Sequence, residues 1–237
     1  MLKSGLILLP NLLGEGLSHE SFFPKAVDQA VGMLDGLIAE SMQGGRSYLN
    51  QFRTKKPPYD IPIGILDENT RDDEIDFLLQ PLKEGELWGL VSDAGLPCIA
   101  DPGARVVFRA RQLGIKIETL TGPSAVIMAI QLSGLPGQRF SFLGYLSKDL
   151  EKREKELKAL EKRSKEERSL QVFMEAPYRN KYTFEAMLEV LHPSTYVGIA
   201  CDLSLETERI MVQKVETFKK SPLPNIDKKP CIFLVYA

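Results

Sequence analysis

Residues 91–103, Val-Ser-Asp-Ala-Gly-Leu-Pro-Cys-Ile-Ala-Asp-Pro-Gly, restrict the possible folds more than any other segment of the sequence. An apolar run, residues 87–91, leads into this segment and predicts a buried strand, and residues 104–113 have the pattern of a helix. Open α/β sheets build their ligand sites in this order of strand, loop and helix, because ligands bind beyond the carboxyl ends of parallel strands. The segment therefore predicts an α/β sheet with a ligand site at this strand end.

The composition of the segment predicts a stiff loop. Its two glycines allow positive φ or a close backbone approach, and its two prolines fix φ. Asp93 and Asp101 can accept hydrogen bonds from ligand hydroxyl or ammonium groups, or they can cap turns. The residue types leave both roles open for each aspartate. Cys98 is interpreted as a small apolar filler without a lowered pKa.

Composition excludes several function classes. The formal net charge of -2 gives no overall attraction to nucleic acid, although a local basic patch remains possible. Cys98, Cys201 and Cys231 form no Cys-x-x-Cys pair, which suits a reducing cytoplasm and argues against a disulfide framework or a zinc site. The two histidines, His19 and His192, lie in unrelated contexts, so we expect neither a histidine metal site nor a catalytic triad.

The apolar run near the N-terminus, residues 5–9, is too short for a signal peptide and predicts the first core strand. No segment approaches the roughly 20 apolar residues that a membrane span needs. We therefore expect a cytoplasmic protein without a membrane segment and without a bound metal.

Strands alternate with helices through the first half of the chain, which predicts a mainly parallel sheet. The strands are expected at residues 5–9, 37–39, 61–66, 87–91 and 115–120. Pro62 places the third of these strands near an edge or at its own start. Thr70 and Asp73 have the spacing of a capping box before a helix.

The second half predicts a mixed sheet, because it ends in consecutive strands. We expect helices at residues 124–132, 150–168 and 182–191, and strands at residues 140–145, 170–174, 196–201, 209–212 and 231–236. The pattern restarts at Gly122, so we predict two α/β domains, residues 1–121 and 122–237.

These motifs resemble the tetrapyrrole methylase-like family of S-adenosylmethionine-dependent methyltransferases. Residues 91–103 match the signature of the branch that methylates the ribose 2′-hydroxyl of a cytidine in 16S ribosomal RNA. Residues 122–125, 133–136, 139–146 and 173–180 match weaker motifs of that branch in the same order. The resemblance covers essentially the whole chain. It implies a two-domain fold with S-adenosylmethionine in the interdomain cleft, and a homodimer.

Three departures from the branch pattern bear on the substrate. Residues 9–15 lack a second proline, residues 40–43 read Glu-Ser-Met-Gln in place of Glu-Asp-Thr-Arg, and Leu96 replaces a threonine. They fall mainly on the expected substrate face of the N-terminal domain. These three departures leave the expected cofactor class unchanged. They bear on the RNA substrate, because the substrate is expected to bind at the face where they lie.

The resemblance also implies the residues of the cofactor pocket. By position in the motifs, these are Pro10, Leu13, Ala94, Gly95, Leu96, Ile99, Ser124, Ala125, Glu175, Leu203, Pro230, Cys231 and Ile232. Backbone groups and small apolar side chains suit a donor whose methyl group is already activated, since the protein mainly binds and aligns it.

A ribose hydroxyl is a poor nucleophile and gains from a positioned base. Asp101 is our first candidate and Glu40 the second, although Asp101 can equally cap the following helix and Glu40 can pair with Arg46. Arg46 and Arg179 can clamp phosphate, or each can form a structural ion pair.

The sequence therefore supports methylation of ribosomal RNA as the leading hypothesis. Two alternatives stay open, because polar residues have been lost from residues 40–43. The acceptor can be a tetrapyrrole or another small molecule, or the chain can be a degenerate family member that binds without turnover.

Overall fold

The computed structural model describes residues 2–237, which form two compact units. The first unit ends at Ser124, and the second extends from Ala125 to Ala237. Both units contain a five-stranded sheet with helices, as the alternation of strands and helices predicts. The functional division into residues 1–121 and 122–237 stays a prediction.

The first unit is built around a parallel sheet. Its strands are β1 (Gly5–Leu8), β2 (Gly36–Ala39), β3 (Ile63–Ile65), β4 (Leu87–Leu90) and β5 (Ile117–Thr119). Its helices are α1 (Lys25–Val31), α2 (Met42–Leu49), α3 (Asp72–Leu78), α4 (Gln80–Lys83) and α5 (Gly103–Gln112). The strand order is β3-β2-β4-β1-β5, and all four pairings are parallel, so the predicted parallel sheet is confirmed.

The two faces of this sheet explain its apolar strands. Helices cover both faces, and separate apolar clusters fill the two layers, one with α1 and α2 and the other with α3 and α5. Central parallel strands buried on both faces have continuous apolar sequences for this reason. β3 begins directly after Pro62 and lies at the edge, as predicted, where a missing N–H donor is tolerated.

The start of α3 differs from the prediction by one residue. The helix begins after Arg71, whose N–H donates to the Glu74 carboxylate at 2.7 Å. Thr70 instead bonds Asp67 through its hydroxyl, at 2.9 Å to the amide and 3.0 Å to the carboxylate. The predicted capping box of Thr70 and Asp73 is therefore wrong, because the threonine closes the preceding turn.

The second unit contains the predicted mixed sheet. Its strands are β6 (Phe140–Tyr145), β7 (Leu170–Met174), β8 (Tyr196–Cys201), β9 (Arg209–Lys214) and β10 (Cys231–Tyr236). Its helices are α6 (Ala125–Ser133), α7 (Leu150–Glu167), α8 (Asn180–Val190) and α9 (Val215–Phe218). In the order β6-β7-β10-β8-β9, the first pairing is parallel and the other three are antiparallel.

Gly36 provides a sensitive test of how the centre of the first sheet packs. It pairs with Trp88 across β2 and β4, and a Cβ at Gly36 would lie 2.3 Å from the indole ring. We expect Gly36→Ala to lower the free energy of unfolding by about 1–3 kcal/mol, because overpacking forces the ring or the backbone to move. Urea unfolding of the purified chain measures this change.

Trp88→Leu in the same background is the control. The smaller side chain makes room for the added methyl group, so the two substitutions together should cost less than the sum of the single changes. Strictly additive costs would contradict the contact.

Candidate functional site

The carboxyl ends of β1, β2 and β4 meet at one edge of the first sheet. β4 pairs with β1 on one side and with β2 on the other, in parallel register. The chain therefore leaves these strands at neighbouring points, through Pro10, Glu40 and Ser92. The structure thus brings two predicted site residues, Pro10 and Glu40, to the same edge as residues 91–103, where open α/β sheets bind ligands.

Asn11 joins the loops that follow β1 and β4. Its side-chain amide donates to the carbonyls of Ser92 and Asp93 at 2.9 and 3.0 Å, and its backbone N–H donates to the Gly95 carbonyl at 2.7 Å. Its Oδ1 accepts the N–H of Leu12 at 2.8 Å. This role of Asn11 is not among the sequence predictions above. The available signal was an asparagine just after a strand, a residue whose amide readily satisfies loop backbone groups.

The loop of residues 91–103 contains unusual backbone conformations. Gly95 has a positive φ of 72°. Two residues that carry a Cβ also have positive φ, Cys98 at 73° and Ala100 at 64°. Such conformations cost free energy and persist where the surrounding structure imposes them. The stiffness expected from glycine and proline therefore extends to positions that residue type did not reveal.

Asp101 caps the start of α5 and also keeps one oxygen without a partner. Its Oδ1 accepts the Gly103 N–H at 2.7 Å, which is the capping role that the sequence left open. Its Oδ2 is buried and has no hydrogen-bond partner within residues 2–237. Burial, with the nearby Asp101 carboxylate, raises the pKa of the Cys98 thiol to about 12, which confirms that Cys98 has no lowered pKa.

Three carboxylates lie close enough at this edge to influence one another. Glu40 Oε1 accepts the Asp93 N–H at 2.9 Å. Burial raises the pKa of Glu40, and the negative charges of Asp93 and Asp101 raise it further. The site therefore has a negative electrostatic potential near the end of β2.

Arg46 does not pair with Glu40. Its guanidinium donates to the carbonyls of Pro58 and Ile61, the second at 2.6 Å. These bonds hold the segment between α2 and β3, so they favour a structural role for Arg46. Binding of substrate by Arg46 stays a prediction without support from these contacts.

A cavity of about 760 Å³ opens at this edge of the first unit. Residues 11–17, residues 91–94 and one side of α2 line it, and Leu13 and Ala94 belong to the predicted cofactor residues. Asp101, Glu40 and Arg46 are not among the described residues of the lining, whereas Asp93 is. The lining residues with side chains from α2 and the following turn are Gln43, Ser47, Tyr48 and Gln51, none of which is a predicted site residue.

The second unit brings another group of predicted cofactor residues together. Ile232 pairs with Met174 on one side and with Ala200 on the other, so the start of β10 lies beside the ends of β7 and β8. The Asp202 N–H donates to the Pro230 carbonyl at 3.1 Å. The predicted residues at this edge of the second sheet are Glu175, Leu203, Pro230, Cys231 and Ile232.

Glu175 and Arg179 form a buried ion pair. The Ala176 N–H donates to Glu175 Oε1 at 2.7 Å, and Thr183 Oγ1 donates to Glu175 Oε2 at 3.0 Å. The Glu175 side chain is 0% exposed and the Arg179 side chain 10% exposed. The ion pair with Glu175 favours a structural role for Arg179, which is the alternative to phosphate binding that the sequence left open. Arg179 Nε and Nη1 are buried without a hydrogen-bond partner within residues 2–237. Phosphate binding by Arg179 stays a prediction.

Cys201 and Cys231 face each other across β8 and β10, with their sulfurs 2.7 Å apart. The hydrogen bond between the two sulfurs lowers the pKa of Cys201, and the same contact together with burial raises the pKa of Cys231. The fold thus joins two cysteines that are scattered in the sequence.

Within residues 2–237, the structure has no helix long and apolar enough to cross a membrane. Over the same residues, it has no group of three or more His, Cys, Asp or Glu side chains placed to hold a metal ion.

A family model described as Tetrapyrrole (Corrin/Porphyrin) Methylases matches residues 36–219. Ribosomal RNA small subunit methyltransferase I of Thermotoga maritima is 36% identical over 160 residues, which are 67% of this chain and 67% of that protein. The protein of the same name from Bacillus subtilis is 29% identical over 221 residues, 93% of this chain and 68% of that one.

Two solved structures have the same fold. The methyltransferase CobJ matches with a TM-score of 0.67 at 16% sequence identity, and the match covers 98% of this chain and 94% of the CobJ chain. Diphthine synthase matches with a TM-score of 0.64 at 14% sequence identity, and the match covers 98% of this chain and 89% of the diphthine synthase chain. At these identities, the similarity concerns the fold alone.

The raised pKa of Glu40 predicts how stability depends on pH. Because the folded state holds the Glu40 proton more tightly than the unfolded state, this carboxyl favours folding at low pH, and that contribution is lost as pH rises through the folded pKa. Glu40→Gln keeps an oxygen for the Asp93 N–H and removes the charge. We expect the variant to have a higher Tm than the wild type at pH 7, and a smaller advantage at pH 4.

Thermal unfolding at both pH values measures this difference, and Glu68→Gln, at an exposed position, is the matched control. An advantage that grows toward acid would contradict the electrostatic interpretation.

The buried ion pair predicts an asymmetric response to substitution. Arg179→Met leaves the Glu175 charge buried without its partner and should cost about 3–5 kcal/mol, whereas Glu175→Gln together with Arg179→Met should cost less. Urea unfolding measures both. Arg163→Met removes the exposed Arg163–Glu167 pair on α7 and should change stability by less than about 1 kcal/mol. A stable Arg179→Met variant with weakened RNA binding would instead support the substrate role.

Proposed function

Because the chain belongs to the Tetrapyrrole (Corrin/Porphyrin) Methylase family, we propose that it methylates a ribose 2′-hydroxyl of small-subunit ribosomal RNA. Family membership makes the chain a methyltransferase with S-adenosylmethionine as its methyl donor. The observation that carries the acceptor class is the sequence identity with the ribosomal RNA small subunit methyltransferases. The proposal that the methyl group goes to the ribose 2′-hydroxyl rests on the signature in residues 91–103.

The residues proposed for the cofactor have suitable chemistry in each unit. In the first unit, Gly95 is left-handed, and a Cβ there would lie 3.3 Å from Leu13, so the backbone approaches closely. Backbone groups beside small apolar side chains can recognise an adenosine. In the second unit, Leu203, Cys231 and Ile232 supply a buried apolar edge. The remaining proposed residues are Pro10, Ala94, Leu96, Ile99, Ser124, Ala125, Glu175 and Pro230.

When bound, S-adenosylmethionine supplies a methyl group that its sulfonium already activates. The chain then has to orient the acceptor hydroxyl and accept its proton. We assign the proton to Asp101 Oδ2, because Gly103 holds the other oxygen and leaves Oδ2 buried without a partner among the described residues. Glu40 is proposed as a positioning residue, since it binds the backbone N–H of Asp93.

The cavity chemistry disfavours a tetrapyrrole acceptor. Corrin and porphyrin precursors carry several carboxylates, which bind best beside lysine and arginine. In the described part of the chain, the charged residues of the lining are Glu15 and Asp93, both acidic. A polyanionic ring would therefore meet repulsion in this cavity.

The proposal includes a homodimer in the cytoplasm. The dimer is expected from the family resemblance, and exposed phenylalanines on α3 and α5, Phe77 and Phe108, supply apolar surface that an interface would cover. The free state of Cys98, Cys201 and Cys231 agrees with a reducing compartment.

The test is methyl transfer from labelled S-adenosylmethionine to small-subunit ribosomal RNA by wild type and by Asp101→Asn. Asparagine keeps an oxygen for the Gly103 N–H and cannot take the proton. We expect kcat to fall about 100-fold or more, with cofactor affinity and Tm unchanged.

Asp60→Asn, at an exposed position in the same unit, is the control and should keep wild-type activity. Full activity in Asp101→Asn would overturn the assignment of the base. Absence of transfer to any RNA by the wild type, despite cofactor binding, would favour a non-catalytic family member.

A further inference from the structure

Cys201 and Cys231 occupy strand positions that a disulfide bond can join. They are direct partners across the antiparallel strands β8 and β10. Residues paired in this way have Cα atoms about 4.5–5.5 Å apart, and this separation lies within the range that a disulfide spans. The backbone therefore already meets the geometric requirement for a cross-link between the two strands.

The side chains of the two cysteines also point at each other. Their Sγ atoms are 2.7 Å apart, and both thiols are free in the structure. Cys201 is 2% exposed and Cys231 is 5% exposed, so bulky thiols from solvent have little access to either sulfur. Reaction of the two sulfurs with each other is therefore favoured over reaction with an external thiol.

Cys201 is the more reactive thiol of the pair. Its hydrogen bond with Cys231 lowers its pKa, and the ammonium of Lys229 lowers it further, although burial and the Asp202 carboxylate act in the opposite direction. The thiolate is the form that attacks a peroxide, so a lowered pKa favours oxidation. In the first unit, burial raises the pKa of the Cys98 thiol to about 12. We therefore expect oxidation to begin at Cys201.

A cavity at the same strand end gives small oxidants a route toward the pair. Its volume is about 320 Å³, and its lining includes Arg209 and Lys229. Arg209 is the β9 partner of Cys201, so the cavity adjoins the strand position next to that cysteine. Hydrogen peroxide is scarcely larger than water and fits a cavity of this size.

The backbone beside the cysteines is strained. Three non-glycine residues there have positive φ, and they are Asp202 at 52°, Ser204 at 71° and Lys228 at 56°. Such conformations cost free energy and persist only where the surrounding structure imposes them. We therefore expect this edge to open locally at a lower free-energy cost than the centre of the sheet, and local opening exposes the sulfurs.

We propose that Cys201 and Cys231 are a reversible thiol–disulfide site that hydrogen peroxide oxidises. The Cys201 sulfur attacks one peroxide oxygen and becomes a sulfenic acid, while the other oxygen leaves as water. The Cys231 sulfur then attacks the sulfenic sulfur, which releases a second water and forms the disulfide. Two thiols thus give up two electrons and two protons, and one peroxide is reduced to two waters.

The position of the site links it to the cofactor. Leu203 and Pro230 lie between the two cysteines in the chain, and Cys231 itself is one of the residues proposed for S-adenosylmethionine. A ligand bound at this edge stabilises the closed form and suppresses local opening. The bound cofactor therefore protects the pair from peroxide. This second part of the inference rests on the proposed cofactor residues, whereas the disulfide itself does not.

The first experiment treats the purified full chain with a slight excess of hydrogen peroxide and counts thiols after denaturation. We expect the wild type to fall from three thiols to one, with two hydrogen atoms lost from the intact mass and Cys201 linked to Cys231 in the peptide map. Dithiothreitol should restore all three thiols. The oxidised chain should also have a Tm about 5 °C or more higher, because the cross-link constrains the unfolded chain.

Cys201→Ser is the matched control, because it removes one sulfur of the pair without changing a residue proposed for the cofactor. Burial contributes to the raised pKa of both remaining thiols, Cys98 and Cys231, so both should survive the same treatment. Cys201→Ala takes its place if the serine variant fails to fold. Three intact thiols in the peroxide-treated wild type, or equal thiol loss in the control, would overturn the proposal.

The second experiment repeats the oxidation with saturating S-adenosylmethionine. We expect the disulfide to form about threefold or more slowly, whereas ATP at the same concentration should leave the rate unchanged. An unchanged rate, with cofactor binding verified by calorimetry, would refute the protection and place the cofactor away from this edge, while the disulfide site stands. Protection in a chain that methylates no RNA would support the inference and count against the proposed function.

Discussion

The parallel pairing of β4 with both β1 and β2 is the constraint on which the site in the first unit depends. Because the three strands run in one direction and in fixed register, the residues after them emerge at one edge of the sheet. Asn11 then ties the loop after β1 to residues 91–103 through three hydrogen bonds. The cavity, the carboxylates and the left-handed Gly95, Cys98 and Ala100 all lie at this edge. A change in sheet register would separate them.

Most of the fold could be predicted from the sequence, because buried parallel strands and amphipathic helices have distinct apolar patterns. Pro62 indicated that β3 lies near an edge or begins at this proline, for an equally local reason, because proline lacks an N–H donor. Helix boundaries are harder to predict, since several polar residues near a helix start can satisfy the same backbone donors. Thr70 has the spacing for that role, yet it closes a turn with Asp67, while Glu74 binds the N–H of Arg71.

The site could be predicted only in part. Glycines and prolines marked the loop of residues 91–103, but the left-handed Cys98 and Ala100 depend on contacts that residue type does not encode. The residue type of Arg46 left phosphate binding and a structural ion pair open, and in the structure its guanidinium donates to carbonyls 12 and 15 residues away along the chain. Tyr48 and Gln51 carry no sequence signal of a special position, because neutral polar residues of a helix resemble those of an ordinary surface. Their burial without partners is visible only in three dimensions.

The strand order also determines when the first unit can take shape during synthesis. The neighbours of β1 are β4 and β5, so β1 has no partner in the sheet until the ribosome has produced residue 87. Before then, the pairing of β2 with β3 is the one available among the described strands of this unit. Pairings between distant segments form slowly, since a long loop must close first. The arrival of β4 joins β1 to the pair of β2 and β3, and residues 91–103 emerge directly after it. The nascent chain therefore acquires its ligand-binding edge and its structural centre in a single late step.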